Sequence, residues 1–367
     1  MIKILTQMER FDDATRDIDK AIQILPKIKK GFTSIKVRIL QRHAIFLANK
    51  KEKERGISII QEAIELETEW ASGSFNIFGE FLMLFEDYSQ ALEKFEKAKN
   101  FLYTPIEAHR NMGKCLVRLG KYEEALKSLI TGSYLAQHNI IRIKTTEENV
   151  KIEPDTPIIK LTGETENLIL EIKTAIMDPK KIAMIDIETT GLNPEHDIIL
   201  EIGIIELNLE TGEKKILFDS LVRERRFDKK YKDAWVFKNS DMKFEDIEKA
   251  PLLSEFWFKL QEIFYKYDIA AYNKAFDIGF LMRRGFIFPF TLPDPMMTAV
   301  NILKLSSLRR KGSYRWPNRG ETWNYFFPKR KYFEKNRAAD DAMHETEILF
   351  EMYKQGLYDI IYPTKKP

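Results

Sequence analysis

The chain has few cysteines and no long apolar runs. Its single cysteine, Cys115, excludes an internal disulfide and is typical of a reducing, cytoplasmic environment. No apolar stretch reaches the length of a membrane span, and the first residues become polar too early for a signal peptide. The formal net charge is only +3, so a surface for nucleic acid would have to come from local basic clusters. We therefore expect a cytoplasmic protein without a membrane partner.

The apolar content is enough for more than one folded domain. Hydrophobic residues make up 44% of the chain and charged residues 31%, as in ordinary globular proteins. A length of 367 residues exceeds one typical core, so two domains are expected. We place a helical domain at 1–140, a linker at 141–180 and a second domain at 181–367. Within the linker we expect turns at 145–149 and 154–157 and, at 164–177, a helix that closes the repeat stack or bridges the domains.

The first domain shows a repeat with a period of 34 residues. Residues separated by this period include the pairs Gly79/Gly113, Tyr88/Tyr122, Ala91/Ala125 and Phe95/Leu129. The segment 113–126 resembles a tetratricopeptide repeat, which implies an all-α superhelix whose concave face binds a protein or peptide. Only residues 1–8 precede the second helix of the first copy. Its apolar end would be covered by a partner, by a second copy in a homo-oligomer or by the rest of the chain, unless it simply frays.

Two carboxylates stand at the end of a predicted buried strand, residues 181–187. Side chains two apart on a strand share a face, so Asp186 and Glu188 project together. A buried pair of carboxylates needs a cation or a proton, and a divalent metal that prefers oxygen ligands fits this requirement. An isolated pair would more often be one acid at the core edge and one in solvent.

Further acidic residues follow in elements that suit the same site. Strands at 198–209 and 215–222 predict an antiparallel meander with the first strand, and a helix is expected at 252–264. In the second strand, Glu201 and Glu206 are expected to face solvent or to pair locally. A short strand at 269–272 then leads into a helix, with Asn273 at the junction and Asp277 one turn in. Asn273 has a simpler explanation as a helix cap. A last helix, 336–350, places Asp340 or Asp341 near its inner face.

Taken together, these motifs resemble the DEDD 3′→5′ exonucleases, and specifically the DEDDh subgroup that includes the proofreading subunit of DNA polymerase III. The resemblance rests on residues 186–192 and 273–277, and it covers about 181–355. It implies a ribonuclease H-like α/β domain with a mixed sheet. It also implies two divalent ions, Mg²⁺ or Mn²⁺, held by Asp186, Glu188, Asp277 and Asp341.

The resemblance also implies the contacts with substrate. The backbone at Thr189 and Thr190 would hold the terminal 3′ hydroxyl. Leu192 and Phe276 would pack on the terminal nucleotide, with core packing as the alternative for both. Asn273 belongs to the second motif and is assigned to substrate binding with them.

The third motif departs from the family pattern, because Asn336 stands where the family has its general-base histidine. An amide cannot accept a proton near neutral pH, and losing a general base costs about 10²–10⁴-fold in rate. Arg337 excludes the tyrosine variant of the family. His344 shares a helical face with Asp341 and could reach the site, although a position behind the site or on the surface is simpler. Natural loss and an engineered change both fit Asn336, and the retained ligands favour an engineered or recent loss.

Residues 304–337 combine eleven basic residues with only two acidic ones, and aromatic residues lie among them. Basic side chains contact phosphates and aromatic rings stack on bases, which suits single-stranded nucleic acid. The alternative is that the aromatics belong to the core and the charges face solvent. A second basic cluster at 223–232 would extend the surface.

The sequence therefore predicts a 3′→5′ exonuclease that acts on single-stranded or 3′-ended nucleic acid, with DNA favoured, and that is impaired by Asn336. One alternative is a protein that binds nucleic-acid ends without cutting. The other is a repeat-based interaction protein with a vestigial nuclease domain.

Overall fold

The computed structural model describes residues 6–67, 72–99, 105–146, 163–307, 313–333 and 335–360. The chain divides into two compact units, Met1–Ile152 and Glu153–Pro367, which are described separately. Within the described ranges, no helix combines the length and the apolar character that a membrane crossing requires.

The first unit is helical throughout its described part. Its helices are α1 (Phe11–Ile24), α2 (Lys29–Asn49), α3 (Lys53–Leu66), α4 (Ser72–Met83), α5 (Tyr88–Ala98), α6 (Pro105–Arg118) and α7 (Tyr122–Thr146), with a 3₁₀ turn at Pro26–Ile28. Each helix packs on the next in sequence, and the contacts are most extensive within the pairs α2/α3, α4/α5 and α6/α7.

The 34-residue period has a counterpart in the packing. A Cβ on Gly79 of α4 would lie 2.5 Å from the ring of Phe95 on α5, and a Cβ on Gly113 of α6 would lie 2.6 Å from Leu129 on α7. The two contacts join equivalent positions of the sequence repeat. In both pairs, therefore, a glycine lets the facing helix approach closely.

The end of α7 differs from the sequence prediction. Thr145 and Thr146 were assigned to linker turns, but α7 continues through both of them. The assignment was wrong because the preceding residues, rich in isoleucine, contain no helix breaker. The remaining predicted turns, at 147–149 and 154–157, lie outside the described residues.

The second unit surrounds a four-stranded sheet. Its elements are α8 (Gly163–Ile176), β1 (Lys181–Thr189), β2 (Ile199–Asn208), β3 (Lys214–Leu221), α9 (Trp235–Asn239), α10 (Phe244–Lys249), α11 (Trp257–Lys266), β4 (Asp268–Ala270), α12 (Lys274–Arg283), α13 (Pro295–Leu303), α14 (Arg319–Phe326) and α15 (Ala338–Lys354), with 3₁₀ turns at Lys229–Tyr231 and Leu253–Phe256.

The sheet is mixed, with strand order β3-β2-β1-β4. β1 pairs antiparallel with β2, and β2 pairs antiparallel with β3, which confirms the predicted meander. β4 pairs parallel with β1. Since β1 is central and buried along most of its length, its end is a protected place for polar side chains.

Two further contacts fix helices on this sheet. α15 packs across β1 and β2, where its apolar side chains Ala342, Ile348, Leu349 and Met352 join the core. The helix predicted at 164–177 is present as α8 and packs on α11 within this unit. Lys173 of α8 and Asp268 of β4 form a buried ion pair at 2.5 Å.

Candidate active site

The end of β1 carries the first two acids. Asp186 is 7% exposed, and Glu188, two residues on, is partly exposed. A β-bulge follows between Glu188 and Thr189 and ends the regular strand. Carboxylate oxygens of Asp186, Glu188 and Asp341 lie within 4.8 Å of one another, so three of the four predicted ligands converge.

Asp277, the fourth predicted ligand, comes from the first turn of α12. It is 2% exposed, and its Oδ1 accepts a hydrogen bond from the backbone N–H of Ile187 at 3.2 Å. Ile187 lies between the two acids of β1. The hydrogen bond therefore holds the Asp277 carboxylate against the strand end.

Asp341 reaches the site because α15 begins unusually close to the sheet. Gly203 of β2 pairs with Asp186, and a Cβ there would lie 2.3 Å from the backbone nitrogen of Ala339. Asp341 is fully buried at this first turn. Its neighbour Asp340 pairs with Lys335 at 2.7 Å, and its carboxylate also lies within 4.8 Å of Asp341 and His344.

A buried glutamate of β2 anchors the same helix start. Glu201 is 1% exposed and accepts hydrogen bonds from Arg337 at 2.6 Å and from the backbone N–H of Ala338 at 3.0 Å. The sequence interpretation had placed Glu201 in solvent or in a local pair. It is instead a buried partner that fixes where α15 begins.

The structure adds a fifth acid that sequence reasoning missed. Glu345 lies one turn after Asp341 on α15, is 1% exposed and contributes to the same cavity. Residues four apart share a helical face, so its spacing from Asp341 was an available signal.

An arginine from a distant segment enters the acidic cluster. Arg319 begins α14, and its guanidinium lies 3.2 Å from Asp186, 3.1 Å from Asp341 and 3.5 Å from Glu345. In the sequence Arg319 was one of many basic residues in 304–337 and was assigned to a nucleic-acid surface. No local pattern indicated that it would be buried.

Burial dominates the electrostatics of the site. It raises the pKa of Asp186, and the nearby Glu345 raises it further while Arg319 acts in the opposite direction. Burial likewise raises the pKa values of Asp277 and Glu345. Burial alone would lower the pKa of Arg319, but attraction to Asp186, Glu345 and Asp341 outweighs it, so this pKa is raised.

The donor set fits a divalent cation. Five carboxylates face a single arginine, which leaves an excess of negative charge in a buried place. Asp186 Oδ2 is buried and has no hydrogen-bond partner among the described residues. Hard cations such as Mg²⁺ and Mn²⁺ prefer carboxylate oxygens, and one bound here would offset the excess negative charge.

A cavity of about 620 Å³ opens beside these acids. The predicted site residues that line it are Asp186, Glu188, Thr189, Thr190, Leu192, Asn273, Phe276, Asp277 and Asn336. Leu192 is 84% exposed, so core packing does not explain it. Trp235, which was not predicted, also lines the cavity and is 61% exposed.

The loop after β1 is organised around Asp197. Its carboxylate accepts from the backbone N–H of Asn193 at 2.9 Å, and a Cβ on Gly191 would lie 2.5 Å from the same carboxylate. The backbone N–H of Thr190 donates to the carbonyl of Ile198 at 3.0 Å. This one N–H is therefore already paired, and the contact of a 3′ hydroxyl with the backbone at Thr189 and Thr190 stays a prediction.

Arg284, at the end of α12, also holds this loop in place. The guanidinium donates to the carbonyls of Pro194 at 2.7 Å and Asp197 at 2.6 Å, and it pairs with Glu224 at 2.9 Å. Arg226 of the predicted second basic cluster donates to the Asp197 carbonyl as well. That side chain has an internal role in addition to any contact with nucleic acid.

Asn273 does not act as the predicted helix cap. It has a left-handed backbone with φ of 67°, and its side chain makes no capping hydrogen bond. Asparagine tolerates this conformation better than most residues. The carboxylate of Asp294 accepts from the N–H groups of Asn273 and Lys274 instead, at 3.1 and 2.8 Å.

Asn336 occupies the predicted general-base position at the cavity wall. Its backbone is left-handed, with φ of 52°, and its Nδ2 donates to the carbonyl of Asn239 at 2.7 Å. His344 is not among the residues that line the cavity; its ring contacts the rings of Trp323 and Tyr332 at 4.9 and 5.2 Å. Burial lowers the pKa of His344. These contacts fit the alternative of a position behind the site.

The basic segment divides into internal and exposed parts. Arg337 pairs with Glu201, Arg315 with Glu321, and Arg330 with Glu347. Trp323 is 2% exposed and belongs to the core, as the alternative interpretation expected. Aromatic side chains that remain exposed are Tyr314, Trp316, Tyr325 and Phe333. Residues 308–312 and 334 lie outside the described part.

Residues 183–349 match the model of an exonuclease family, RNase_T, so the second unit carries an exonuclease-type domain. Among curated proteins, the chain is 25% identical over 223 residues to the PolC-type DNA polymerase III of Clostridium perfringens (strain 13 / Type A). That match covers 60% of this chain but only 14% of the length of the polymerase.

Solved structures give weaker likenesses. The nuclease domain of 3′hExo, a DEDDh family member bound to rAMP, is 18% identical, with 50% of this chain and 96% of that chain covered and a TM-score of 0.37. Cell-death related nuclease 4 is 14% identical, with 48% and 64% covered and a TM-score of 0.36. These scores are too low to support conclusions about this chain.

Proposed function

We propose that the second unit is a metal-dependent 3′→5′ exonuclease of the DEDDh type that removes nucleotides from 3′-ended single strands. The observation that carries the proposal is the convergence of carboxylates from β1, α12 and α15 at one cavity within a segment that matches an exonuclease family model. DNA is the first substrate to test, because the curated relative is a DNA polymerase.

The positions of the side chains support the roles that we propose for them. Asp186, Glu188, Asp277 and Asp341 would hold two ions, Mg²⁺ or Mn²⁺. Such a pair of ions lowers the pKa of an attacking water and stabilises the charge on the leaving 3′ oxygen. Leu192 and Phe276, at the cavity wall, would orient the terminal nucleotide through apolar contact.

Asn336 limits the rate in this proposal. Its amide donates a hydrogen bond to a backbone carbonyl and offers no basic nitrogen. Water would therefore lose its proton without a general base from this position. We infer that the chain cleaves slowly, by about 10²–10⁴-fold relative to a form with histidine there.

The test compares the wild type with Asn336→His on 5′-labelled single-stranded DNA and RNA in Mg²⁺ or Mn²⁺. We expect products that shorten from the 3′ end, with faster cleavage by the histidine variant. Asp341→Asn in the histidine background should abolish cleavage. Glu351→Gln is the control, because it removes a carboxylate from the same helix, but that side chain pairs with Lys354 near the helix end, and this variant should retain cleavage.

A second candidate is a domain that binds 3′ ends without cutting them, and the amide of Asn336 favours it. Anisotropy with a labelled oligonucleotide in Ca²⁺ would detect such binding. Tight binding of 3′-hydroxyl ends, with no gain of cleavage in Asn336→His, would establish this candidate and reject the exonuclease proposal.

For the first unit we propose a tetratricopeptide-like superhelix that binds a protein or peptide partner. The repeated close contacts Gly79–Phe95 and Gly113–Leu129 support this proposal. A peptide-library selection on the full chain tests it, and selected peptides should lose affinity when residues of the first unit are substituted. Light scattering would report whether the chain forms a homo-oligomer.

A further inference from the structure

The guanidinium of Arg319 lies inside the acidic cluster rather than on the basic surface. It contacts Asp186 and Asp341, two of the four proposed metal ligands, at 3.2 and 3.1 Å. It also contacts Glu345, which is not one of those four, at 3.5 Å. A positively charged side chain of the protein therefore contacts the carboxylate oxygens that a metal ion would use.

The structure holds this arginine in place from its backbone. Arg319 begins α14, and a capping box between Asn318 and Glu321 fixes that helix start. The hydroxyl of Tyr272 donates to the carbonyl of Pro317 at 3.0 Å, just before the cap. Because both the cap and Tyr272 constrain this turn, the direction of the Arg319 side chain is built into the fold.

Glu345 is also held by Tyr272. The backbone of Tyr272 hydrogen-bonds its carboxylate, and its side chain is 1% exposed. A buried acid outside the four matched motif positions requires a partner of opposite charge. Arg319 supplies that partner, so the two residues add no net charge to the four-acid site.

The positive charge of Arg319 would oppose the binding of a divalent ion. An ion held by Asp186 and Asp341 would repel a guanidinium bound to the same two side chains. Glu345 would keep the arginine nearby after it leaves them. The planar guanidinium, with several N–H donors, is then suited to bind a phosphate group at the cavity.

We propose that Arg319 neutralises Asp186 and Asp341 when no metal is bound, leaves them when a divalent ion enters, and then binds the phosphate of the substrate while still paired with Glu345. Arg319 thereby competes with the metal before substrate binds and assists substrate binding afterwards. This inference rests on the proposed function, because it assigns Arg319 to the same metal site.

The first experiment measures Mn²⁺ affinity of the full chain without nucleic acid, by calorimetry or by electron paramagnetic resonance. Arg319→Gln should tighten binding by at least about fivefold, the lower end of typical coupling between sites. Arg315→Gln is the matched control: it removes the same charge from the same segment, but that residue pairs with Glu321 outside the cavity. Its affinity should stay close to that of the wild type.

Equal or weaker Mn²⁺ binding by Arg319→Gln, relative to Arg315→Gln, would overturn the competition. Absence of Mn²⁺ binding in all forms, wild type included, would instead reject the proposed metal-dependent function. The two failures are therefore distinguishable.

The second experiment measures binding of a 5′-mononucleotide, dAMP, in saturating Ca²⁺. Arg319→Gln should weaken it by about tenfold or more, as expected for loss of a charged hydrogen bond. Arg319→Lys keeps the charge and replaces the glutamine variant if that one does not fold. It should bind Mn²⁺ as the wild type does and dAMP more weakly, and unchanged dAMP affinity would overturn the phosphate contact.

Discussion

Gly203 offers a direct test of how the acidic cluster is assembled. A Cβ at this position would lie 2.3 Å from the nitrogen of Ala339 and 2.4 Å from the carbonyl carbon of Ala338. Both atoms are backbone, so no side chain can rotate away. Ordinary contact begins at 3.4 Å, and the start of α15 would therefore have to retreat by about 1.1 Å.

That retreat displaces the first turn of α15, which carries Asp341. Overpacking of this kind costs about 1–3 kcal/mol, and each kcal/mol lowers the melting temperature of a unit of this size by about 2–4 °C. A displacement of about 1 Å in a catalytic group can cost about 10²-fold in rate. We expect Gly203→Ala to melt earlier, to bind Mn²⁺ more weakly and, in the Asn336→His background, to cleave about 10²-fold more slowly.

Gly279→Ala is the control for this substitution. Gly279 lies in α12, between Asp277 and the helix end, and nothing lies within 4 Å of its added Cβ. Alanine should stabilise this helix by about 0.5–1 kcal/mol and leave Mn²⁺ affinity unchanged. Calorimetry should therefore separate the two variants. If Gly203→Ala is as stable as Gly279→Ala and binds Mn²⁺ equally well, the close approach of α15 does not position Asp341, and our account of the site is wrong.

Three further predictions concern stability and ligand binding. In EDTA, the free energy of unfolding from urea titrations should fall as the pH rises above about 4, because the folded state keeps protons on acids of raised pKa that the unfolded chain has lost. Saturating Mn²⁺ should remove most of this pH dependence. A pH dependence that metal leaves unchanged would contradict the assignment of these acids to a metal site. Lys173→Met should cost about 3–5 kcal/mol in the same titration by leaving Asp268 buried without its partner, and Asp268→Asn should restore much of the loss. Leu192→Ala should change stability by no more than about 0.5 kcal/mol while weakening oligonucleotide binding in an anisotropy assay; unchanged binding would exclude the proposed contact with the terminal nucleotide.

The parts of the site that the sequence predicted are those set by local periodicity. Asp186 and Glu188 share a strand face because side chains alternate, and the meander follows from successive apolar runs, with a short turn at 209–213 between the second and the third. The 34-residue spacing likewise pairs Gly79 with Phe95 and Gly113 with Leu129 through equivalent packing.

The parts that it did not predict depend on contacts between distant segments. Arg319 and Asp186 are separated by 133 positions, and nothing near Arg319 distinguishes it from the basic residues around it. Glu201 was expected to face solvent or to pair locally because its actual partner, Arg337, lies 136 positions away. The helix-cap alternative for Asn273 rested on residue type alone, whereas its left-handed backbone was not visible in the sequence.

The brace formed by Arg284 has a consequence for the way a ligand would be received. Asp277 lies in the first turn of α12. At the other end of this helix, Arg284 donates hydrogen bonds to the carbonyls of Pro194 and Asp197, in the loop that carries Leu192. Asp277 and Leu192 are thereby held in a fixed arrangement by one helix. A strand terminus would meet a surface that is already shaped, so little conformational freedom would be lost on capture, and the association rate would depend on diffusion rather than on closure of a flap.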